Sequence, residues 1–135
     1  MPLNLSFGNI FNILENAIGV AYQRQNTISS NISNLETPGY RPKDIDFKAA
    51  MAKAIGSESQ ISLSGTNAGH IDLYNEANQE AEAFEEESDW NGVNYVSIDK
   101  MVNRMTENNL IYKTAAEVML RKISLIKEVI REGGR

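Results

Sequence analysis

The sequence predicts a mainly α-helical chain in which long N- and C-terminal helices form a coiled-coil layer, with a small irregular middle segment outside it. Apolar residues recur at alternating four- and three-residue steps near both ends. A proline-glycine corner stops the first run, and the stretch between the two runs is polar, acidic and aperiodic. The reading divides 135 residues into an N-terminal helix (7–36), a corner and irregular acidic middle (37–97) and a C-terminal helix (98–132), all in one domain (1–135).

The first helix is read from Phe7, Phe11, Leu14, Ile18, Ala21, Gln25, Ile28, Ile32 and Leu35, about four heptads with one polar interruption. At the rise of an α-helix it spans roughly 43 Å. A stripe this narrow on a helix this long cannot bury itself, so it requires a partner.

The helix must stop by Leu35 or Glu36, because Thr37 precedes a proline and the α conformation is disfavoured there. Thr37-Pro38-Gly39-Tyr40 fits a type II turn, with proline fixing the second position and glycine supplying a positive φ at the third. Pro42 then holds Arg41 extended.

The middle carries weaker signals. Asp44 or Asp46 caps a short helix bearing Phe47, Met51, Ala54 and Ile55, stopped at Gly56. Residues 57–69 are rich in Ser, Gly, Asn and Thr, with Ile61 and Leu63 in strand-like alternation, which fits a loop or a weak hairpin. Ile71, Leu73 and Tyr74 are candidates to touch the core. Residues 75–89, acidic and Ala-rich, suit either a short exposed helix or disorder. Asn91-Gly92 signals a turn before the last helix.

The last helix is read from Ile98, Val102, Met105, Asn109, Tyr112, Ala116, Met119, Ile123, Ile126 and Ile130. Ser97 is a favourable N-cap, Asp99 suits the first turn, and Lys127 and Arg131 suit the last turn before Gly133-Gly134. Antiparallel pairing with Phe7 near Ile130 places Gln25 opposite Tyr112 and within a turn of Asn109, so the two polar seam residues are expected to fix register. Further apolar residues lie off both seams: Ile10, Ile13, Val20 and Tyr22 in the first helix, and Met101, Leu110, Ile111, Val118, Leu120, Leu125 and Val129 in the last. They widen each stripe beyond what one neighbour covers and predict contacts with other subunits.

Composition excludes several function classes. No apolar run reaches the 18 or more residues of a membrane span. The first 20 residues lack a basic n-region and interrupt any apolar core with Asn4, Asn9, Asn12, Glu15 and Asn16, unlike a signal peptide. With zero cysteines, disulfides and thiolate metal sites are ruled out. The only histidine, His70, has no second His or Cys with which to share a metal. Carboxylates are abundant but cluster in a polar segment, a poor place to raise the pKa of a general acid for glycan cleavage. No phosphate loop, nucleophile elbow or paired-His motif is present, so no cofactor and no catalysis are expected.

Charge is unevenly placed within a net of -5. Residues 54–99 contain ten acids and no Lys or Arg, while the flanks hold all 13 basic residues and net +5. This predicts an acidic surface segment between mildly basic helical ends. Scattered basic residues and a negative total argue against nucleic acid as a partner.

Asn31, Ile32, Asn34, Thr37, Pro38, Gly39 and Tyr40 resemble the Asn-Ile-Ala-Asn-x-x-Thr-Pro-Gly-Tyr signature of the bacterial flagellar axial proteins (rod, hook and related). Ser33 stands where that family usually has alanine, a small-for-small departure. Within the family, Arg41 to Phe47, the short chain and the run from Asn91 to Ile130 are most similar to the proximal rod of the basal body. The likeness covers roughly the first 50 and last 45 residues, and the middle matches only loosely.

The resemblance implies a structural subunit that polymerises with copies of itself and other rod proteins, contacts membrane-ring or rod-base proteins, and transmits torque. It further implies a periplasmic rod location, reached through the flagellum's own export channel without signal cleavage. Corner residues Asn31, Asn34, Thr37, Pro38, Gly39 and Tyr40 would join the helices to the variable middle. Tyr40 would pack on the helix end, and Asn31 and Asn34 would bond backbone freed near the stop. The assembly seams would be Phe11, Leu14, Ile18, Ile28 and Ile32 with Met105, Tyr112, Met119, Ile123 and Ile126. Another axial rod protein, a helical export chaperone or adaptor, and a wall hydrolase are the rival readings, and heptads alone do not explain the Thr-Pro-Gly-Tyr string.

Overall fold

A computed structural model of the chain describes residues 7–58 and 81–134. The expectations for His70, Ile61, Leu63, Ile71, Leu73 and Tyr74 lie outside the described residues. Three helices and two short strands are described: α1 (Phe7–Ser33), β1 (Lys43–Ile45), α2 (Phe47–Glu58), β2 (Ala83–Glu85) and α3 (Ile98–Gly133). The chain is mainly α, with the two long terminal helices packed together, β1 and α2 packed on α1, and β2 paired with β1.

Helix α1 tapers rather than stopping at one residue. Its last turns switch to bonds reaching three residues back, from Asn34 N–H to Asn31, from Leu35 N–H to Ile32 and from Thr37 N–H to Asn34. Ser33 Oγ and Asn34 Nδ2 donate to the carbonyls of Ser29 and Ser30 and compete for the helical acceptors. The Tyr40 N–H then bonds Thr37 O at 3.3 Å with Gly39 at φ +72°, the positive φ that a type II turn demands at its third position.

Asp46 begins α2, its Oδ1 accepting the Ala49 N–H at 3.0 Å. The helix runs on through Gly56 to Glu58, because a single glycine weakens a helix by only about 1 kcal/mol. Ser97 begins α3 in extended conformation (φ -105°, ψ 117°) and accepts the Lys100 N–H.

Residues 83–85 overturn one expectation. They form a strand, antiparallel to β1, with Lys43 opposite Glu85, Asp44 opposite Phe84 and Ile45 opposite Ala83. Local composition favours helix or disorder there, but the pairing partner lies some 40 residues upstream and leaves no local trace. Backbone bonds extend the tie on both sides: Glu86 N–H to Pro42 O, Gly39 N–H to Val93 O and Tyr95 N–H to Tyr40 O. The corner segment is thus held between residues 86 and 93–95.

The core is small. Ile28, Val96 and Met101 are fully enclosed, with Ile32, Leu35, Tyr40 and Met105 packed around them. The helical pair is antiparallel, and its register is about one turn from the expected one. Gln25 meets Asn108 rather than Tyr112, and Phe11 lies under Lys122, with the ammonium 5.8 Å from the ring centroid. Polar chemistry fixes this offset: Asn108 Nδ2 donates to Ala21 O (2.8 Å) and Gln25 Oε1 (3.1 Å), whereas Asn109 is exposed.

Candidate assembly site: the corner and the helical faces

The corner is built on asparagine amides. Asn31 is wholly buried in α1, and its side chain pairs with Lys43 much as a neighbouring strand would. Nδ2 donates to Lys43 O (2.7 Å) and Oδ1 accepts the Lys43 N–H (3.0 Å). The same Oδ1 accepts the Tyr40 hydroxyl at 3.2 Å, so ring and strand are anchored to one helical residue. A buried peptide group left without such partners would cost about 1–3 kcal/mol. Asn34 and Thr37 act locally, Thr37 Oγ1 donating to Asn34 Oδ1 at 3.0 Å on the exposed side.

A second asparagine, Asn94, closes the helix from the far side of the chain. Its Nδ2 donates to the carbonyls of Leu35 (2.6 Å), Asn34 (3.2 Å) and Thr37 (3.2 Å); Leu35 O lies just past the end of α1, and the other two also accept the Thr37 and Tyr40 N–H groups. Its Oδ1 accepts the Val96 N–H and the Asn91 amide, both at 2.9 Å. Asn91 Oδ1 in turn accepts the N–H groups of Val93 and Asn94, with Gly92 at φ +103° completing the turn. The Asn91-Gly92 turn is legible in sequence; the capping role of Asn94 is not.

Charge is buried behind the corner. Arg24 on α1 grips Asp44 of β1 with two bonds, Nε to Oδ1 at 2.9 Å and Nη2 to Oδ2 at 3.0 Å. Arg104 on α3 brings Nη1 to 3.0 Å from Asp44 Oδ2, too bent for a hydrogen bond, and donates from Nη2 to Glu86 Oε1. Burial pushes the Asp44 carboxyl upward. The Arg24 bonds, the Ile45 N–H at 2.8 Å and the two guanidinium charges outweigh it and hold Asp44 below the ordinary carboxylate range. The Arg24 guanidinium is raised, chiefly by its bond to Asp44 and against its own desolvation. This cluster ties α1, α3, β1 and the chain after β2 together. None of its members stands out in sequence, since Arg24 and Arg104 fall beside the apolar seams.

Beside the corner, Arg41, Glu85, Glu86, Glu87, Ser88 and Tyr95 line an open cleft of about 330 Å³. Arg41 stacks on the Tyr95 ring at 4.8 Å, and Trp90 meets the same ring edge-on at 5.2 Å. Among the described residues no cluster of His, Cys, Asp and Glu could hold a metal ion. None of the described helices is long and apolar enough to cross a membrane.

Residues 11–41, which take in most of α1 and the corner, match the family model of the flagella basal body rod protein. The likeness extends over nearly the whole chain. The flagellar basal body rod protein FlgB of Yersinia enterocolitica is 30% identical over 125 residues, covering 88% of this chain and 91% of that protein. The chain belongs to the FlgB family of flagellar basal body rod proteins. FlgB of Bacillus subtilis is 29% identical across 97% of this chain and 99% of its own length. FlgB of Escherichia coli is 27% identical across 88% and 91%.

The FlgB family is structural, not enzymatic, so what matters in this chain is which helical faces remain to meet neighbours. On α1, Phe11, Leu14, Ile18 and Ile32 are half-buried and Ile28 is fully buried. On α3 the face turned to α1 runs through Met101, Met105, Asn108, Ala115, Met119 and Ile126. Met105, Met119 and Ile126 therefore lie on the pairing face, whereas Tyr112 and Ile123, expected there, are exposed, as is Val102. At 100° per residue the pairing face is turned by about 40° from the one read in sequence. Helix α3 is apolar over more than half its circumference, so periodicity alone does not select the stripe that α1 takes.

Proposed function

We propose that this rod subunit acts as a single axial domain that polymerises through its helical layer and transmits torque by shear-resistant packing along the rod. The observation that carries the reading is the unpartnered apolar surface of α3. Leu110, Leu120, Leu125, Val129 and Ile130 are all more than half exposed in the single chain. Apolar exposure this extensive, spread around the helix, marks contact surfaces in an assembly, and copies joined by unlike faces extend into a helical array. Phe11, Leu14, Ile18, Ile28, Ile32, Met105, Tyr112, Met119, Ile123 and Ile126 form the load-bearing layer. Asn31, Asn34, Thr37, Pro38, Gly39 and Tyr40 set the angle at which the rest of the chain leaves it. Its partners are copies of itself, other rod proteins and the membrane-ring or rod-base proteins, in the periplasmic rod, reached by export without signal cleavage.

Helicity and sedimentation of the purified chain, alone and mixed with the other rod proteins, test the reading. Gain of helix and mass on mixing is expected. A particle indifferent to those partners would overturn it.

A further inference from the structure

On α3, the side chains Tyr112, Ala116, Leu120, Ile123, Lys127 and Ile130 share one strip at helical spacing, bordered by Lys113 and Arg131. Five of these six core positions are apolar, and Leu120 (65%) and Ile130 (69%) are among the most exposed large apolar side chains of the chain. The strip carries no carboxylate, since Glu117 and Glu128 lie on the helix's solvent side, where Glu117 pairs with Arg121. It runs beside the face that α1 covers, and all of its residues but the half-buried Ala116 are exposed among the described residues.

The surface around the cleft has the opposite chemistry. Trp90 is 54% exposed and stacks against Tyr95 at the rim, while Glu85, Glu87 and Asp89 are exposed beside it. The cations nearby are engaged: Arg41 on the Tyr95 ring, Arg104 and Lys100 at Glu86, while Lys43 stands opposite Glu85 across the strand pair. Among the described residues, none of Glu85, Glu87, Asp89, Lys113, Lys127 and Arg131 forms an ion pair. One surface is thus aromatic and acidic, the other aliphatic and basic.

We propose that the Trp90 surface of one copy seats on the α3 strip from Tyr112 to Arg131 of a second copy, with Trp90 among the aliphatic side chains and Glu87 and Asp89 facing Lys127 and Arg131. The inference rests on the axial-subunit reading and adds to it which two faces meet. Complementary charge sets the register and direction of the contact, and apolar burial holds it. Each copy offers one face of each kind, so the contact is head-to-tail and leaves a free face at both ends of the chain of copies.

Charge reversal tests it on the intact chain. The Lys127→Glu/Arg131→Glu variant and the Glu87→Lys/Asp89→Lys variant each place like charges in the contact, while an equimolar mixture of the two restores opposite charges at every junction. Sedimentation equilibrium is expected to show concentration-dependent association of the parent, weakened about tenfold or more in each variant and recovered in the mixture. Circular dichroism identical to the parent confirms that each variant is folded. A monomeric parent at all concentrations, variants that associate like the parent, or a mixture that does not recover overturns the proposal. Co-sedimentation of the same variants with the other rod proteins separates the two readings: retained co-assembly leaves the axial role standing when this contact fails.

Discussion

The side-chain amide of Asn94 donates to the carbonyl of Leu35 at 2.6 Å, across 59 residues of sequence. A helix usually finds its C-terminal partners within a few residues. Here glycine comes too late, at Gly39, and the carbonyl of Leu35, just past the last turn, is served from the far side of the chain. The end of α1 and the entry to α3 therefore form one unit.

Replacing Asn94 tests that unit. Asn94→Ala leaves the Leu35 carbonyl and the Val96 N–H without partners and strips a second bond from the Asn34 and Thr37 carbonyls, and about 2–4 kcal/mol of stability should be lost. Asn94→Asp removes both donors and sets a carboxylate against carbonyl oxygens, so its urea midpoint should fall below that of the alanine variant.

Acid should loosen the ion cluster. Because Asp44 in the folded chain is held below its ordinary range, its contribution is complete at pH values above the unfolded carboxylate range, roughly pH 4. It is lost as pH falls through the lower folded-state value. Asp44→Asn leaves Arg24 and Arg104 facing an uncharged amide and should cost about 3 kcal/mol at neutral pH. In that variant the stability difference from the parent should shrink as the pH is lowered below 4, as read by urea unfolding at each pH.

The polar step in the seam has a different character. Asn108 is 1% exposed, and its Oδ1 has no partner among the described residues. Asn108→Leu should leave stability unchanged or raise it by about 1 kcal/mol, since an unsatisfied buried acceptor is removed. Asn109→Leu, on the exposed side, should change thermal stability by less than about 0.5 kcal/mol. Equal and large losses in the two variants would contradict the assigned register.

Protection against hydrogen exchange should be graded along the helices. No residue of α1 from Gly8 to Gly19 is fully buried, and none of α3 beyond Ala115. In the free monomer, amides of residues 8–19 and 116–133 should exchange far faster than those of 20–32 and 96–115. In the assembled rod this difference should largely disappear. Uniform protection in a verified monomer would argue against folding on assembly.

The terminal helices are readable because a heptad repeat declares itself over many residues, and the corner because Pro38 and Gly39 restrict backbone angles by themselves. The face of α3 was harder. Val102, Asn109, Tyr112 and Ile123 continue a perfectly good repeat, yet they lie beside the stripe that α1 covers, and only the asparagine–carbonyl bond at Ala21 decides between them. β2 was unreadable, since three residues between acids owe their strand state to Lys43–Ile45. The cluster of Arg24, Asp44, Arg104 and Glu86 was equally hidden: charged residues look alike in sequence whether solvated or paired, and pairing is decided by the tertiary fold.

The strand pair pins residues 45 and 83 side by side, and between them α2 packs back on α1 while the Ala81 N–H bonds Gln23 Oε1. Ends fixed in this way uncouple the length of the chain joining Glu58 to Ala81 from the geometry of the helices. Doubling the intervening chain adds only about 0.6 kcal/mol of closure entropy. An insertion between residues 58 and 81, a fluorescent or affinity module included, should therefore leave the spacing of the two terminal helices unchanged.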